Sequence, residues 1–458
     1  MTGQPVPPVT DGSGASTRTP AETGPARKPG QAGQAGRDRQ DQRDRQDRRD
    51  RRDRRDGRHG RKARPTVGAE FDPRHNNLNF LRLALAIVVT IDHGWTLGGF
   101  GHLAAARDPG FVALESFFVI SGYLITASWL RTGSLGRFLW HRVVRIVPAF
   151  WVCLVFIAAV VAPIAWLHNG GTLRGYVHAH PHGPFEFVAR GLTLHPLFFD
   201  IAGTPRGVPW PPAGSSAPMS WDTPLWSVSW ECGCYLLVAA LGVLGIVQRR
   251  RVLVAAGAFV AWGLMAAATL APAATGPVLH NPTVFEALRM LPLFLYGSVL
   301  YLYRDRIPVS TAAAALCLVT VLAGGFTMKN AGMVAGPPLA YLCIWLGLRL
   351  PFQRVGRRHD LSYGIYVFAF PLQQLLAVYG VHRHGLVAYY ASFLALTPLA
   401  GAASWFLVER RALALKNWTP RWLERRAARR ATRPAMIPVQ GQPVQGQPSA
   451  ASSAPTGT

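Results

Sequence analysis

Ten apolar stretches, each near the 20 residues or so that cross a bilayer, fill the chain between about residues 78 and 408. They fall at about Leu78–Gly98, Gly110–Leu130, Ile146–Leu167, Trp226–Val247, Val252–Pro272, Val284–Tyr303, Thr311–Thr327, Met333–Leu350, Leu361–Tyr379 and Leu386–Val408. In hydrocarbon a segment must satisfy its own backbone, and unbroken apolar runs of this length do so as helices. The fold class is therefore all-α, a polytopic membrane helix bundle of about ten transmembrane helices. Composition agrees: the 458 residues are 49% hydrophobic and 16% charged, where a soluble domain carries about a quarter charged residues. The formal charge of +25 is concentrated at the two ends.

Three regions follow: an Arg-rich tail over residues 1–75, a membrane domain over 76–412 and a second basic tail over 413–458. Both tails are poor in apolar residues and are expected to be disordered, since they bury too little surface to offset their ordering entropy. The run DRQDQRDRQDRRDRRDRRDGRHGRKAR suits either an anionic partner or a solvated topogenic tail. Asp alternating with Arg lowers its charge density, so no nucleic acid is expected to bind. An even number of spans puts both termini on one side. Arg131, Arg137, Arg142 and Arg145, then Arg249–Arg251, Arg304 and Arg306, and Arg354, Arg357 and Arg358 fall in connections on that same side. The positive-inside rule makes it the cytoplasmic face of the cell membrane. The long connection from about His168 to Pro224, rich in Pro, Gly, His and Trp, is expected over the outer mouth of the bundle. No cleaved signal peptide is apparent at the N-terminus. Cys153, Cys232, Cys234, Cys317 and Cys343 fit neither a disulfide framework nor a zinc site and read as small core residues.

Ionisable groups at membrane depth are costly and usually serve a pathway or a site. In FLRLALAIVVTIDHGW, Arg82 and His93 are eleven residues apart. Eleven steps of about 100° leave only about 20° of rotation over a rise of about 16 Å, so the two share one helix face. Asp92 points about 100° away, toward a neighbouring helix or the interface. A cation near the mouth and a base deeper in suit a ligand with an anionic head and a reactive end, such as an acyl-CoA. The same spacing also suits an Arg that snorkels and a His that caps a packed interface. In ESFFVISGYLI, Glu115 is an acid at membrane depth, whereas Ser121 and Gly122 read as small residues at a helix contact. Arg142 and Arg145 share a helical face at i, i+3, and with Arg137 they form a cluster able to hold phosphate; inner-loop topology would also explain them. Pro148 marks a loop-to-helix junction after them. In LWSVSWECGCYLL, Ser227, Glu231 and Tyr235 form one stripe at i, i+4, i+8, with Trp226 and Trp230 beside it. Glu231 suits proton transfer or an ion pair that ties the bundle together.

Three further features read as structural. HAHPH at His178, His180 and His182 lies in a Pro-containing loop with no paired acid, so a flexible loop is expected and no metal site. Glu286 and Arg289 are spaced to pair with each other. Ser362, Tyr363, Gly364 and Tyr366 give the ninth helix a polar start.

Together these blocks resemble the acyltransferase 3 family of integral membrane acyltransferases, in order from about Asn77 to Glu409. Arg82 and His93 match its Arg-ten residues-His motif, FFVISGYLI its second-helix block, and Arg142-Val143-Val144-Arg145 with Pro148 its basic block. LWSVSWECGCYLL matches its Trp-Ser-x-x-x-Glu block, and LSYGIYVFAFP is similar to its late Ser-Tyr-x-x-Tyr block. The resemblance implies transfer of an acyl group, often acetyl, from acyl-CoA to a hydroxyl of a carbohydrate, cell-envelope glycan or glycosylated small molecule. By the same resemblance His93 and Glu231 are the catalytic candidates. Arg82, Arg142 and Arg145 would serve the donor, with Glu115, Ser121, Ser227, Trp226, Tyr235 and Tyr363 in support. The expected partners are acyl-CoA, the carbohydrate or glycoconjugate acceptor and membrane lipid, with no bound cofactor or metal.

Four features depart from the family pattern. Ala369 stands where many members have His, Glu115 stands where Asp is usual, RRAL after Glu409 lacks a frequent Pro, and the last tail is too short and polar for an esterase-like domain. The rival reading is a transporter or flippase of an anionic or glycan solute, which would use the same buried charges.

Overall fold

The computed structural model describes residues 65–101, 109–194, 200–211, 218–327 and 332–418. The expectation of two disordered tails falls almost wholly outside these residues. Ten long helices organise the described chain: α1 (Leu78–Leu97), α2 (Pro109–Thr132), α3 (Leu135–His168), α4 (Leu225–Val243), α5 (Arg251–Leu270), α6 (Pro282–Leu302), α7 (Thr311–Thr327), α8 (Gly332–Arg349), α9 (Ser362–Val378) and α10 (Leu386–Asn417). The class is the all-α membrane bundle expected from the apolar runs. Seven of the ten, α1 to α6 and α10, are long and apolar enough to cross a bilayer, while α7 and α9 are shorter apolar helices. Large apolar side chains stand uncovered on the outer faces of α5 (Phe259, Val260), α7 (Leu316, Val319) and α10 (Leu399, Leu407). A water-soluble protein would hide such faces; here lipid covers them.

Two helices extend further than their apolar cores predict. At 34 residues, α3 is about 50 Å long, well beyond a hydrocarbon core of about 30 Å. The basic segment RFLWHRVVR is therefore no loop but the first turns of α3, and Pro148 lies inside the helix, not at its start. The neighbouring helices accommodate the proline, and Tyr363 Oη donates to the Ile146 carbonyl in the same turn at 3.1 Å. The helix α10 continues through a π-helical turn at Trp405–Glu409 as far as Asn417, where the Leu415 carbonyl accepts from Trp140 Nε1 at 2.9 Å.

The centre of the bundle is α2, the most enclosed of the spanning helices, which packs on α1, α4, α6 and α8. Lipid is as apolar as leucine, so close van der Waals approach holds helices together here. At the α2–α6 crossing a Cβ on Gly122 would collide with the Phe294 carbonyl oxygen, and one on Gly297 with that of Val119. Gly122 thus fills the packing role its sequence suggests. The start of α1 is pinned to the end of α8 by Asn77, fully buried, whose amide nitrogen and side-chain Nδ2 both donate to the Gly347 carbonyl (2.8 and 3.1 Å). At the other end of α1, Gln373 Nε2 of α9 donates to the Thr90 carbonyl at 2.7 Å.

Candidate active site

Between α1, α2, α4 and α9 lie two adjoining cavities whose linings share Leu114 and Tyr366. The narrower, about 40 Å³, is lined by Arg82, Phe117, Phe118, Ser121, Ser227, Val228, Glu231, Ser362 and Tyr363. The wider, about 240 Å³, is lined by Val89, Asp92, His93, Thr96, Gly110, Phe111, Trp210, Thr223, Trp226 and Phe370 among others. Arg82 and His93 thus face successive chambers along one side of α1. The His93 ring stands edge-on to Phe370, with ring centroids 5.3 Å apart. Asp92 packs against Gly110 at the α1–α2 contact, yet also reaches the wider cavity.

At the arginine side the charges satisfy one another. Asp360 Oδ2 accepts from Arg145 Nη2 at 2.5 Å and Arg82 Nη1 at 3.2 Å, and its Oδ1 accepts from the Ser362 hydroxyl at 2.6 Å. Arg145 Nη1 also reaches Glu409 Oε2 at 3.3 Å, and Ser404 Oγ donates to Glu409 Oε1 at 3.0 Å. Burial opposes the charged form of Asp360, but Arg145, then Arg82, and the Ser362 hydrogen bonds outweigh it and bring the carboxyl down to about 2. Neither Asp360 nor Glu409 was among the candidates read from the sequence. The available signals were an acid two residues before the Ser362 start of α9 and a lone Glu inside an apolar run, now seen in a π turn of the kind often found at functional sites. Arg142 differs from the other two arginines. Its guanidinium lies 5.8 Å from the Tyr235 ring centroid and 6.0 Å from that of Phe138, and its buried Nε has no hydrogen-bond partner among the described residues.

The stripe on α4 is confirmed in its geometry. Glu231 Oε1 accepts from Tyr235 Oη at 2.7 Å and from Ser121 Oγ at 2.6 Å. Ser121 is therefore more than a small packing residue: its hydroxyl is aimed at the carboxylate. Ser227 Oγ lies 2.6 Å from Tyr366 Oη, one of the two residues shared by both linings. Tyr363 lines the narrower cavity beneath Arg145, and Trp226 lines the wider one.

Glu115 is not brought to either cavity. It is buried toward α6, where Arg289 Nε approaches its Oε1 at 3.6 Å and the guanidinium covers the Phe111 ring at 4.1 Å. Arg289 thus serves two acids: its charge acts on Glu286 one turn away, as expected, and it also reaches across the helix interface to Glu115, a carboxylate 1% exposed on α2. The connection after α3 also differs from expectation. His182 Nδ1 pairs with Asp200 Oδ1 at 2.7 Å and its amide with Glu186 Oε2 at 3.2 Å, so this histidine does have a paired acid. Further along, Ser220, Trp221 and Asp222 are buried in the bundle; Gln374 Nε2 donates to the Ser220 carbonyl at 2.9 Å and Trp221 Nε1 to Thr204 Oγ1 at 3.0 Å. Burial raises the Asp222 carboxyl well above the carboxylate range, against the smaller opposite effect of the Cys153 thiol 3.7 Å from its Oδ2.

A membrane bundle with a histidine and an acid–arginine cluster in successive chambers belongs to the class of intramembrane transferases or solute carriers. Similarity to known proteins decides between them. The acyltransferase domain model matches residues 75–408, and the chain belongs to this family, acyltransferase 3. It is similar to the O-acetyl transferase of Shigella phage Sf6, at 26% identity over 365 residues covering 74% of this chain and 96% of that protein. It is also similar to nodulation protein 10 of Rhizobium leguminosarum bv. viciae, at 27% identity over 377 residues covering 75% and 94%. No solved structure matches. The protein is a membrane O-acyltransferase, and the transport reading gives way.

Proposed function

We propose that the enzyme moves an acetyl group from acetyl-CoA, bound from the cytoplasmic face, to a hydroxyl of a carbohydrate or glycoconjugate at the outer face of the cell membrane. The observation that supports this most is the pair of chambers meeting at Leu114 and Tyr366, with Arg82 and Glu231 on one side and His93 on the other. Arg142, whose buried Nε has no hydrogen-bond partner among the described residues, is the cation we assign to donor phosphate; Arg82 and Arg145 act mainly by fixing the cytoplasmic mouth through Asp360 and Glu409. Glu231, held by Ser121 and Tyr235, shapes the wall along which the acyl arm passes.

In the reaction His93 accepts the proton of the acceptor hydroxyl as its oxygen attacks the thioester carbonyl. The carbon–sulfur bond breaks, CoA leaves as thiolate, and the proton held by His93 returns to it, so that an alcohol and a thioester become an ester and a thiol. Positioning in a dry chamber supplies much of the rate. The Arg-rich connections and both termini lie on the cytoplasmic side in this reading. Proteoliposomes given acetyl-CoA on one side only test it. Release of CoA is expected when the donor faces the Arg-rich side, and His93→Ala should abolish it. Release that is indifferent to sidedness or to His93 would refute the assignment.

A further inference from the structure

Away from both chambers, the α4–α5 and α6–α7 connections meet around a third cavity, of about 290 Å³, which shares no lining residue with the other two. Arg249, Arg250 and Arg251 enter it from one connection and Arg306 from the other, against a single acid, Asp305. Arg251 joins the two sides: its Nη1 donates to the Leu302 carbonyl at the end of α6 at 3.1 Å. The acid is engaged elsewhere. Asp305 Oδ1 packs against Gly68 and lies 3.8 Å from Arg304 Nε, and the Arg304 guanidinium covers the Tyr301 ring at 4.3 Å. Arg249, Arg250 and Arg306 are exposed and form no ion pair among the described residues, whereas Arg82 and Arg145 are held by carboxylates. The positive-inside rule asks for basic residues in each connection; it does not require two connections to close around one hollow. Like charges gathered there repel one another, so the arrangement favours an anionic guest. Arginine forks match phosphate oxygens, and the Tyr303 hydroxyl on the same wall adds a donor.

The surroundings restrict where that phosphate comes from. Val243 and Leu244 at the end of α4, and Val252 and Leu253 at the start of α5, flank the arginines in the chain and are exposed, Leu244 by 72% and Val252 by 70%. Val252 also lines the cavity. Apolar surface this bare at the rim of a membrane bundle is covered by acyl chains, so the hollow opens at the level of the lipid headgroups. A water-soluble phosphate compound would make no use of that flank, and a zwitterionic headgroup would bring a cation of its own to the arginines. We propose that Arg249, Arg250 and Arg306 bind the phosphate of an anionic phospholipid whose acyl chains run along α4 and α5 past Leu244 and Val252. The bound lipid bridges the two connections and relieves the repulsion among the arginines. This site is independent of the transfer reaction, of its donor and of its acceptor.

The test places the full-length protein in nanodiscs of phosphatidylcholine, with or without phosphatidylglycerol. It reads the melting temperature and, after extraction into detergent, the lipid retained, by native mass spectrometry. Phosphatidylglycerol should raise the melting temperature and be retained in preference to phosphatidylcholine. Arg250→Gln combined with Arg306→Gln should cut that retention about tenfold or more and abolish the rise. In phosphatidylcholine alone the same variant should melt as high as wild type or higher, because like charges have been removed. Arg354→Gln combined with Arg358→Gln takes the same charge from exposed positions in the α8–α9 connection and should leave both readouts near wild type. An equal loss in the two double variants would overturn the site in favour of general surface charge. A first variant that melts lower than wild type in both lipids would likewise overturn it, by showing a packing role. Pyrophosphate and CoA, each added to phosphatidylcholine nanodiscs, distinguish the source of the phosphate: either one raising the melting temperature as much as phosphatidylglycerol would overturn the lipid assignment.

Discussion

The two chambers follow opposite rules. On the arginine side Arg82, Arg145, Asp360, Ser362, Glu409 and Ser404 are bound to one another across α1, α3, α9 and α10. On the histidine side Trp210 Nε1, Thr223 Oγ1, Asp222 Oδ1 and Gln374 Oε1 are buried with no hydrogen-bond partner among the described residues. A closed network fixes geometry, because breaking any member strands a charge in low dielectric. Rigidity thus belongs to the end where four helices converge.

Substitutions can break this contrast, and the largest effect is expected at its catalytic edge. His93→Ala should lower transfer by roughly 10²- to 10⁴-fold, the usual worth of a positioned general base. Its melting temperature in detergent should stay near wild type, and a large fall in melting temperature would show that His93 is structural. Next is Asp360→Asn, which leaves Arg82 and Arg145 facing each other without their shared carboxylate. It should cost about 3 to 5 kcal/mol of stability, read from thermal unfolding; a near-neutral result would mean that the arginine side is not the closed network described. Arg142→Gln should raise the KM for acetyl-CoA about tenfold with little change in stability, separating this cation from its two paired neighbours. Tyr235→Phe, which removes one of the two hydroxyls on Glu231, should cost about 1 kcal/mol.

The smallest effect concerns pH and sharpens the comparison. A folded carboxyl near 2 lies below the unfolded value of about 3.9, so the stability from Asp360 is fully present above the unfolded value and is lost as pH falls toward 2. The gap in melting temperature between wild type and Asp360→Asn should therefore be constant from pH 8 to about pH 5 and should narrow below about pH 4. A gap that already closed near pH 6 would point to a different charge state for the cluster.

Much of this was legible in the residues themselves. The eleven-residue interval between Arg82 and His93 places both on one face because helix geometry is a local rule, and the structure sets the two in adjoining chambers. The Ser227, Glu231 and Tyr235 stripe was readable for the same reason. The partners were not. Asp360 is 278 residues from Arg82 and Glu409 is 264 from Arg145, and no periodicity links positions so far apart. Glu115 was legible as a buried acid but not as a partner of Arg289, since i, i+3 spacing within α6 pointed only to Glu286 and the packing of α2 on α6 brought the second acid. The basic segment before Pro148 read as a loop because proline punctuates soluble helices, whereas in α3 the helix runs through it.

By itself, the sequence determined that this chain is an all-helical membrane protein, which face of each polar helix matters, and to which family it belongs. Apolar run length, helical period and local motif are properties of neighbouring residues, and the bilayer enforces them segment by segment. The tertiary structure alone decided which charges neutralise one another and which side chains of the long connection, such as Trp210 and Thr223, are folded in beside His93. Those outcomes depend on how helices converge, and a buried charge or N–H takes whichever partner the packing brings within about 3 Å.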